Sequence, residues 1–270
     1  MLSKHLRFKE SELHYWHEGN GDRVLLLFHG FGQHHRAFEL WVEALGHHYT
    51  LYSFDLFFHG QSHWQSREAL EKADWQEIMT LFFKQESITD FELVGFSMGG
   101  KFALATLELF PTKVKKITLL APDGINTSFW YSLATYPIAT RYFFKGMILH
   151  PNRLRILARF LRALRLVDKG LLRFAENQMN TKEKRTRVYY SWVYFRHLKF
   201  NLNTIATIIN RYRIPITLLV GRYDKVIQPE RMRSFLKLIE AKEFKILEAG
   251  HNDLIAKTAA EIKKKNDIQH

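Results

Sequence analysis

Gly95-Phe96-Ser97-Met98-Gly99, followed by Gly100, sets a serine among small residues where an apolar run, Phe91 to Val94, passes into a helical segment. A hydroxyl on such a strand-to-helix turn can act as a nucleophile. The turn exposes Oγ, the small neighbours keep adjacent elements clear, and the helix amino terminus favours developing negative charge. A serine nucleophile also needs a base to take its proton and an acid to hold that base in one tautomer. His251, in Ala249-Gly250-His251, and Asp224, in Val220-Gly221-Arg222-Tyr223-Asp224, each follow an apolar run near the C-terminus. Asp123, just after Ile117 to Ala121, is an alternative acid, with capping or orienting the following segment as its expected role.

The tetrahedral intermediate of acyl transfer requires two preorganised donors for its oxyanion. Main-chain N–H groups of Phe31, in His29-Gly30-Phe31-Gly32, and of Met98, next to the serine, can supply them. His29 reads as a structural histidine holding its loop. The predicted catalytic set is therefore Ser97, Asp224 and His251, with Phe31 and Met98 as the oxyanion hole. This chemistry calls for no metal and no organic cofactor. The absence of cysteine excludes disulfides, thiolate metal sites and a cysteine nucleophile.

These residues need a frame. Leu6 to Trp16 alternates as a hairpin turning near Glu10 and Ser11. Val24 to Phe28, Tyr49 to Phe54, Phe91 to Val94, Ile117 to Ala121, Ile214 to Val220 and Glu243 to Leu247 read as strands buried on both faces of a largely parallel sheet. Helical segments fall between them, around Ala37 to Leu45, Trp75 to Lys84, Gly99 to Phe110, Arg231 to Ile239 and Leu254 to Lys265. Strand and helix alternate, which predicts a doubly wound α/β fold. The alternation stops over 123–213, read as a helical insertion, and 1–122 with 214–270 form the core domain. With 270 residues and 46% hydrophobic side chains the chain can bury a substantial core. The amino terminus lacks the apolar stretch of a secretory signal, and no run spans a bilayer, so the expected location is the cytoplasm.

The formal net charge of +13 is concentrated in one region. Residues 126–213 hold 17 Lys and Arg against 3 Asp and Glu, and the remainder hold 23 against 24. A neutral body with one basic insert points to a local surface meeting something acidic. Arg153 to Val167 projects as a basic amphipathic helix, with Ile156, Leu157, Phe160, Leu161, Leu164 and Val167 on one face and Arg155, Arg159, Arg162 and Arg165 on the other. The aromatic stretch from Phe129-Trp130-Tyr131 to Tyr142-Phe143-Phe144 is expected to line an apolar acyl pocket or to pack the insertion. No nucleic-acid-binding module is present. The expected partners are a small ester or acyl substrate and, through the basic insert, an anionic membrane surface bound peripherally or an acidic acyl carrier.

Over residues 24 to about 122 and 214 to about 260 the sequence resembles the α/β-hydrolase superfamily, in particular esterases, lipases and haloperoxidase-like members with a helical cap. The chain order serine, acid, histidine agrees with that resemblance. Asp55-Leu56-Phe57-Phe58-His59-Gly60-Gln61-Ser62 looks like the family's D-x-x-G-x-G-x-S loop, with Phe58-His59 departing from it; Asp55 and His59 are read as loop-forming. Relatives with an aspartate nucleophile, the haloalkane dehalogenases and epoxide hydrolases, differ from this chain at Ser97. The resemblance implies an α/β-hydrolase fold with a helical cap and cleavage of a carboxylic ester through an acyl-serine. Its alternatives are a thioesterase, carbon-carbon hydrolase or acyltransferase, or a catalytically silent binding protein.

Overall fold

The computed structural model describes residues 2–125, 131–132, 135–150, 152–153, 156, 159 and 178–268. Its centre is an eight-stranded sheet of β1 (Leu2–Phe8), β2 (Ser11–Glu18), β3 (Arg23–Phe28), β4 (Tyr49–Phe54), β5 (Phe91–Phe96), β6 (Val114–Leu120), β7 (Ile216–Gly221) and β8 (Lys242–Leu247). The spatial order is β1-β2-β4-β3-β5-β6-β7-β8. β1, β2 and β4 pair antiparallel, and all other pairs are parallel. The expected alternation is thus an α/β-hydrolase fold. The β1–β2 hairpin turns one residue earlier than expected, with Lys9 in the left-handed region at φ 54°.

Helices α1 (Glu39–Leu45), α2 (Lys72–Gln85), α3 (Gly99–Leu109), α4 (Ile138–Leu149), α5 (Lys182–Tyr194), α6 (Leu202–Arg211), α7 (Arg233–Lys237) and α8 (Leu254–Ile268) accompany the strands. α1 packs with α8 and α2 with α3. Parallel strands need such crossovers, and a sheet covered on both faces explains why the central strands are continuous apolar runs. β5, FELVGF, is buried at every position. Glu92 within it accepts hydrogen bonds from Tyr49 at 3.2 and 3.3 Å and pairs with Arg23.

β8 departs from the expectation of a strand buried on both faces. It closes the edge of the sheet, and Phe244 and Ile246 are 36% and 44% exposed. Its charged residues Lys242, Glu243 and Lys245 suit an edge, where they discourage pairing with another chain.

One hydrophobic cluster joins the strand ends that carry the candidate residues. Phe96, Leu120, Ala121, Leu219, Ala249, Leu254 and Ile255 all belong to it. Complete burial of a leucine such as Leu254 contributes about 2 kcal/mol.

The chain divides into two compact units. The first comprises 1–66, 71–126 and 198–270, and the second 67–70 and 127–197. The sequence expectation of a helical insertion over 123–213 differs from these units in one element: α6, within that range, belongs to the unit that holds the sheet. In the second unit Arg185 is buried and donates from Nε to the Ile148 carbonyl at 3.0 Å, tying α5 to α4. Phe144 is buried and stacks on Trp192 with centroids 5.7 Å apart. Its neighbours Tyr142 and Phe143 are 72% and 68% exposed, so these two neither line a pocket nor pack the unit as expected. The amphipathic helix expected over 153–167 lies mostly outside the described residues, as do Phe129 and Trp130. Among the described residues no helix is long and apolar enough to cross a membrane.

Candidate active site

Ser97 sits between the end of β5 and the start of α3 with φ 49°, a left-handed backbone that costs a non-glycine residue about 1–2 kcal/mol. Three main-chain hydrogen bonds hold it there. Ser97 N–H donates to the Leu120 carbonyl at 2.9 Å, and its own carbonyl accepts from Gly100 and Asp123, both at 2.8 Å. Glycine is required at 99 because a Cβ there would collide with the Phe28 carbonyl. Close approach of α3 to β3 is therefore what fixes the turn.

The loops after β7 and β8 are stitched together. Arg222 N–H donates to the Leu247 carbonyl at 2.8 Å and Tyr223 N–H to the Ala249 carbonyl at 3.1 Å. Arg222 and Tyr223 also both bind the Glu248 carboxylate. These loops carry Asp224 and His251. Asp224 is 3% exposed, and its Oδ1 accepts the N–H groups of Val226 and Ile227 at 2.7 and 2.8 Å. Oδ2, turned the other way, meets His251 Nδ1 at 2.6 Å. Nε2 of the same ring lies 2.9 Å from Ser97 Oγ. The Phe96 ring packs against the imidazole with centroids 5.0 Å apart, and buried Ala249 and Leu254 anchor the loop on either side of it. Residues 97, 224 and 251, far apart in the chain, thus form one hydrogen-bonded line.

Asp123 is engaged elsewhere. Its Oδ2 is 3.1 Å from Lys101 Nζ and its Oδ1 accepts Gly124 N–H at 2.7 Å. The buried Lys101 is not signalled by its local sequence. It lies in the first turn of α3, whose Gly100 is covered by Pro122 and Asp123 and whose Lys101 side chain runs beside Gly124, contacts that appear only in the fold.

His29 is fully buried. Its Nε2 accepts Leu56 N–H at 3.0 Å, and its Nδ1 therefore carries the proton donated to the Gly30 carbonyl at 2.7 Å. Burial pushes its pKa down to about 4, against the Gly30 hydrogen bond and the Asp55 charge. It holds the loop that bears Phe31, as a neutral imidazole. Neither Phe31 N–H nor Met98 N–H donates to another described residue.

A profile of the alpha/beta hydrolase fold family matches residues 23–258. The chain belongs to this family. A putative esterase/lipase of Mycoplasma genitalium is 27% identical over 110 residues, which are 39% of this chain and 40% of that protein. Among solved structures, the bromoperoxidase from Bacillus anthracis superposes with a TM-score of 0.68 at 19% identity, covering 99% of each chain. A thermophilic esterase from Thermogutta terrifontis gives a TM-score of 0.68 at 17% identity, covering 100% of this chain and 98% of that one.

Within this alpha/beta hydrolase the loop after β4 is an anchor for the segment that follows Phe31. Asp55 is completely buried. Its Oδ2 meets His14 Nδ1 at 3.0 Å and Gln61 N–H at 2.9 Å, while its Oδ1 meets His35 Nδ1 at 2.9 Å and His35 N–H at 2.7 Å. Burial alone would raise the carboxyl pKa; the hydrogen bonds from His14, His35 and Gln61 outweigh it and hold the group well below the usual carboxylate range. Ser62 Oγ closes the loop by donating to the Asp55 carbonyl at 2.5 Å and accepting His14 N–H at 2.7 Å.

His14, His35 and Asp55 offer atoms within 4.8 Å of one another, close enough to consider a metal. Both Nδ1 atoms are, however, committed to Asp55, whose oxygens also take two main-chain N–H groups, so the carboxylate is satisfied as the centre of a structural knot, while His35 Nε2 is buried with no hydrogen-bond partner among the described residues. Asp55 is loop-forming, as the sequence predicts, and its partners are two histidines from distant segments that the local pattern does not specify. Alternation along β2 puts position 14 on the face opposite Leu13 and Tyr15, so its burial appears only when the loop after β4 packs over it. Phe58 stands where the family loop has its first glycine, and it adopts φ 67°, the conformation glycine favours. His59 is buried, with Nδ1 donating to the Phe57 carbonyl at 3.0 Å, and it packs edge-on against Phe31.

Proposed function

We propose that this protein is a serine hydrolase that cleaves a carboxylic ester through an acyl-enzyme on Ser97. The observation that carries the reading is the unbroken line from Asp224 Oδ2 through His251 to Ser97 Oγ, at 2.6 and 2.9 Å. Ser97 Oγ attacks the ester carbonyl while its proton passes to His251 Nε2, and Asp224 steadies the imidazolium through Nδ1. The carbonyl oxygen, now carrying the negative charge, takes hydrogen bonds from Phe31 and Met98 N–H, each donor contributing about 3 kcal/mol to the transition state. The tetrahedral adduct collapses, the C–O bond to the leaving group breaks, and His251 returns the proton to the departing alkoxide. Water, deprotonated by the same imidazole, then releases the acid and regenerates the serine.

This scheme draws on groups that the chain itself provides. The substrate is a small ester or acyl compound. Incubation of the intact protein with a fluorophosphonate, followed by mass spectrometry, should give a single adduct on Ser97, and Ser97→Ala should abolish both the adduct and turnover of p-nitrophenyl esters with the fold intact. Undiminished turnover by the Ser97→Ala protein would remove the proposal.

A further inference from the structure

We propose that the helical unit docks on an anionic phospholipid bilayer through the exposed face of α4. This helix, IATRYFFKGMIL, is apolar on two sides. Its inner side is anchored by buried Phe144 and Ile148 against α5. On the outer side Ile138, Tyr142 and Phe143 are 65%, 72% and 68% exposed; Ile138 and Tyr142, four apart, share a face, and Phe143 lies about 100° further round the helix, away from buried Phe144 and Ile148. Scattered exposed apolar side chains are ordinary, but three large ones within the first two turns of one helix form a patch that needs a partner.

Charge identifies the occupant. α4 carries Arg141 and Lys145 and no acidic residue, and residues 127–197 hold 14 Lys and Arg against 3 Asp and Glu. Aromatic and aliphatic side chains beside a cation suit the boundary between acyl chains and anionic headgroups, where the rings enter the interface and the exposed Lys145 ammonium meets phosphate, whereas Arg141 has its Nε buried. A second copy of the chain would bring like charges together. An acidic carrier protein would satisfy the cations without requiring three protruding apolar side chains. The inference does not depend on the serine chemistry, because docking requires no turnover.

The test is co-sedimentation of the full chain with vesicles of phosphatidylcholine alone and of phosphatidylcholine mixed with phosphatidylglycerol. The wild-type protein should pellet with the anionic vesicles only and be released by added salt. Replacing Tyr142→Ser and Phe143→Ser together should weaken binding by about tenfold or more, and Lys145→Glu should also weaken it. Both substitutions lie at exposed positions, so ester turnover and circular dichroism should stay as in the wild type; Ser97→Ala should bind vesicles normally. Three results would overturn the proposal: a wild-type protein indifferent to anionic vesicles, a double variant that binds as well as the wild type, or a wild-type dimer that the double variant dissolves.

Discussion

Lys101 and Asp123 form an ion pair, Nζ to Oδ2 at 3.1 Å, in which the lysine side chain is only 5% exposed. The pair commits Asp123 to balancing a buried cation in α3, while Asp224, on the loop after β7, is the carboxylate that meets His251. Two acids that compete for one role in the sequence thus have separate work in the fold.

Asp224→Asn should lower kcat for ester hydrolysis by about 10⁴, because an amide in place of the carboxylate favours the wrong histidine tautomer. Asp123→Asn should spare kcat and instead lower stability, by about 2 kcal/mol, since it removes the carboxylate that pairs with the buried Lys101 ammonium. Steady-state kinetics and urea unfolding of the two variants distinguish these effects. A reversed ranking in kcat would reassign the acid.

Asp55→Asn should destabilise the protein by about 3 kcal/mol at neutral pH, because one carboxylate serves two buried histidines and two main-chain N–H groups. An amide offers one acceptor oxygen and turns two hydrogens toward existing donors. A loss below about 1 kcal/mol by urea denaturation would show that the knot is not a structural anchor.

Stability should fall on acidification through the His29 window. Its pKa is 6.5 unperturbed and about 4 in the fold. Between those values the unfolded chain binds a proton that the folded chain does not, so the stabilisation is complete above pH 6.5 and is lost as pH falls toward 4. The full effect is about 3 kcal/mol. Urea midpoints across this range should show the loss, and His29→Asn should be less stable at pH 7 yet flatter with pH. An unchanged slope in the variant would assign the acid sensitivity to other groups.

Gly99→Ala should prevent formation of the serine turn, because the added methyl would occupy the space of the Phe28 carbonyl, a backbone atom that cannot rotate away. The expected outcome is insoluble or inactive protein. A soluble variant with normal fluorophosphonate labelling would mean that β3 and α3 can separate at little cost.

Read as a sequence, this chain already specified the alternating strands and helices, the serine on its turn, and the order of acid and histidine, because each is a local pattern of side-chain polarity, glycine placement or chain direction. The glycines around Ser97 and the apolar runs of β3 to β7 mark their own positions. The tertiary structure decided which of two carboxylates meets His251, that Lys101 and His14 are buried, that β8 is an exposed edge, and that Tyr142 and Phe143 face outward while Phe144 faces inward. Those outcomes depend on distances between segments far apart in the chain. A carboxylate takes as its partner whichever donor the fold brings within about 3 Å. An apolar side chain is buried only if another element packs over it, and neither condition is written in the residues nearby.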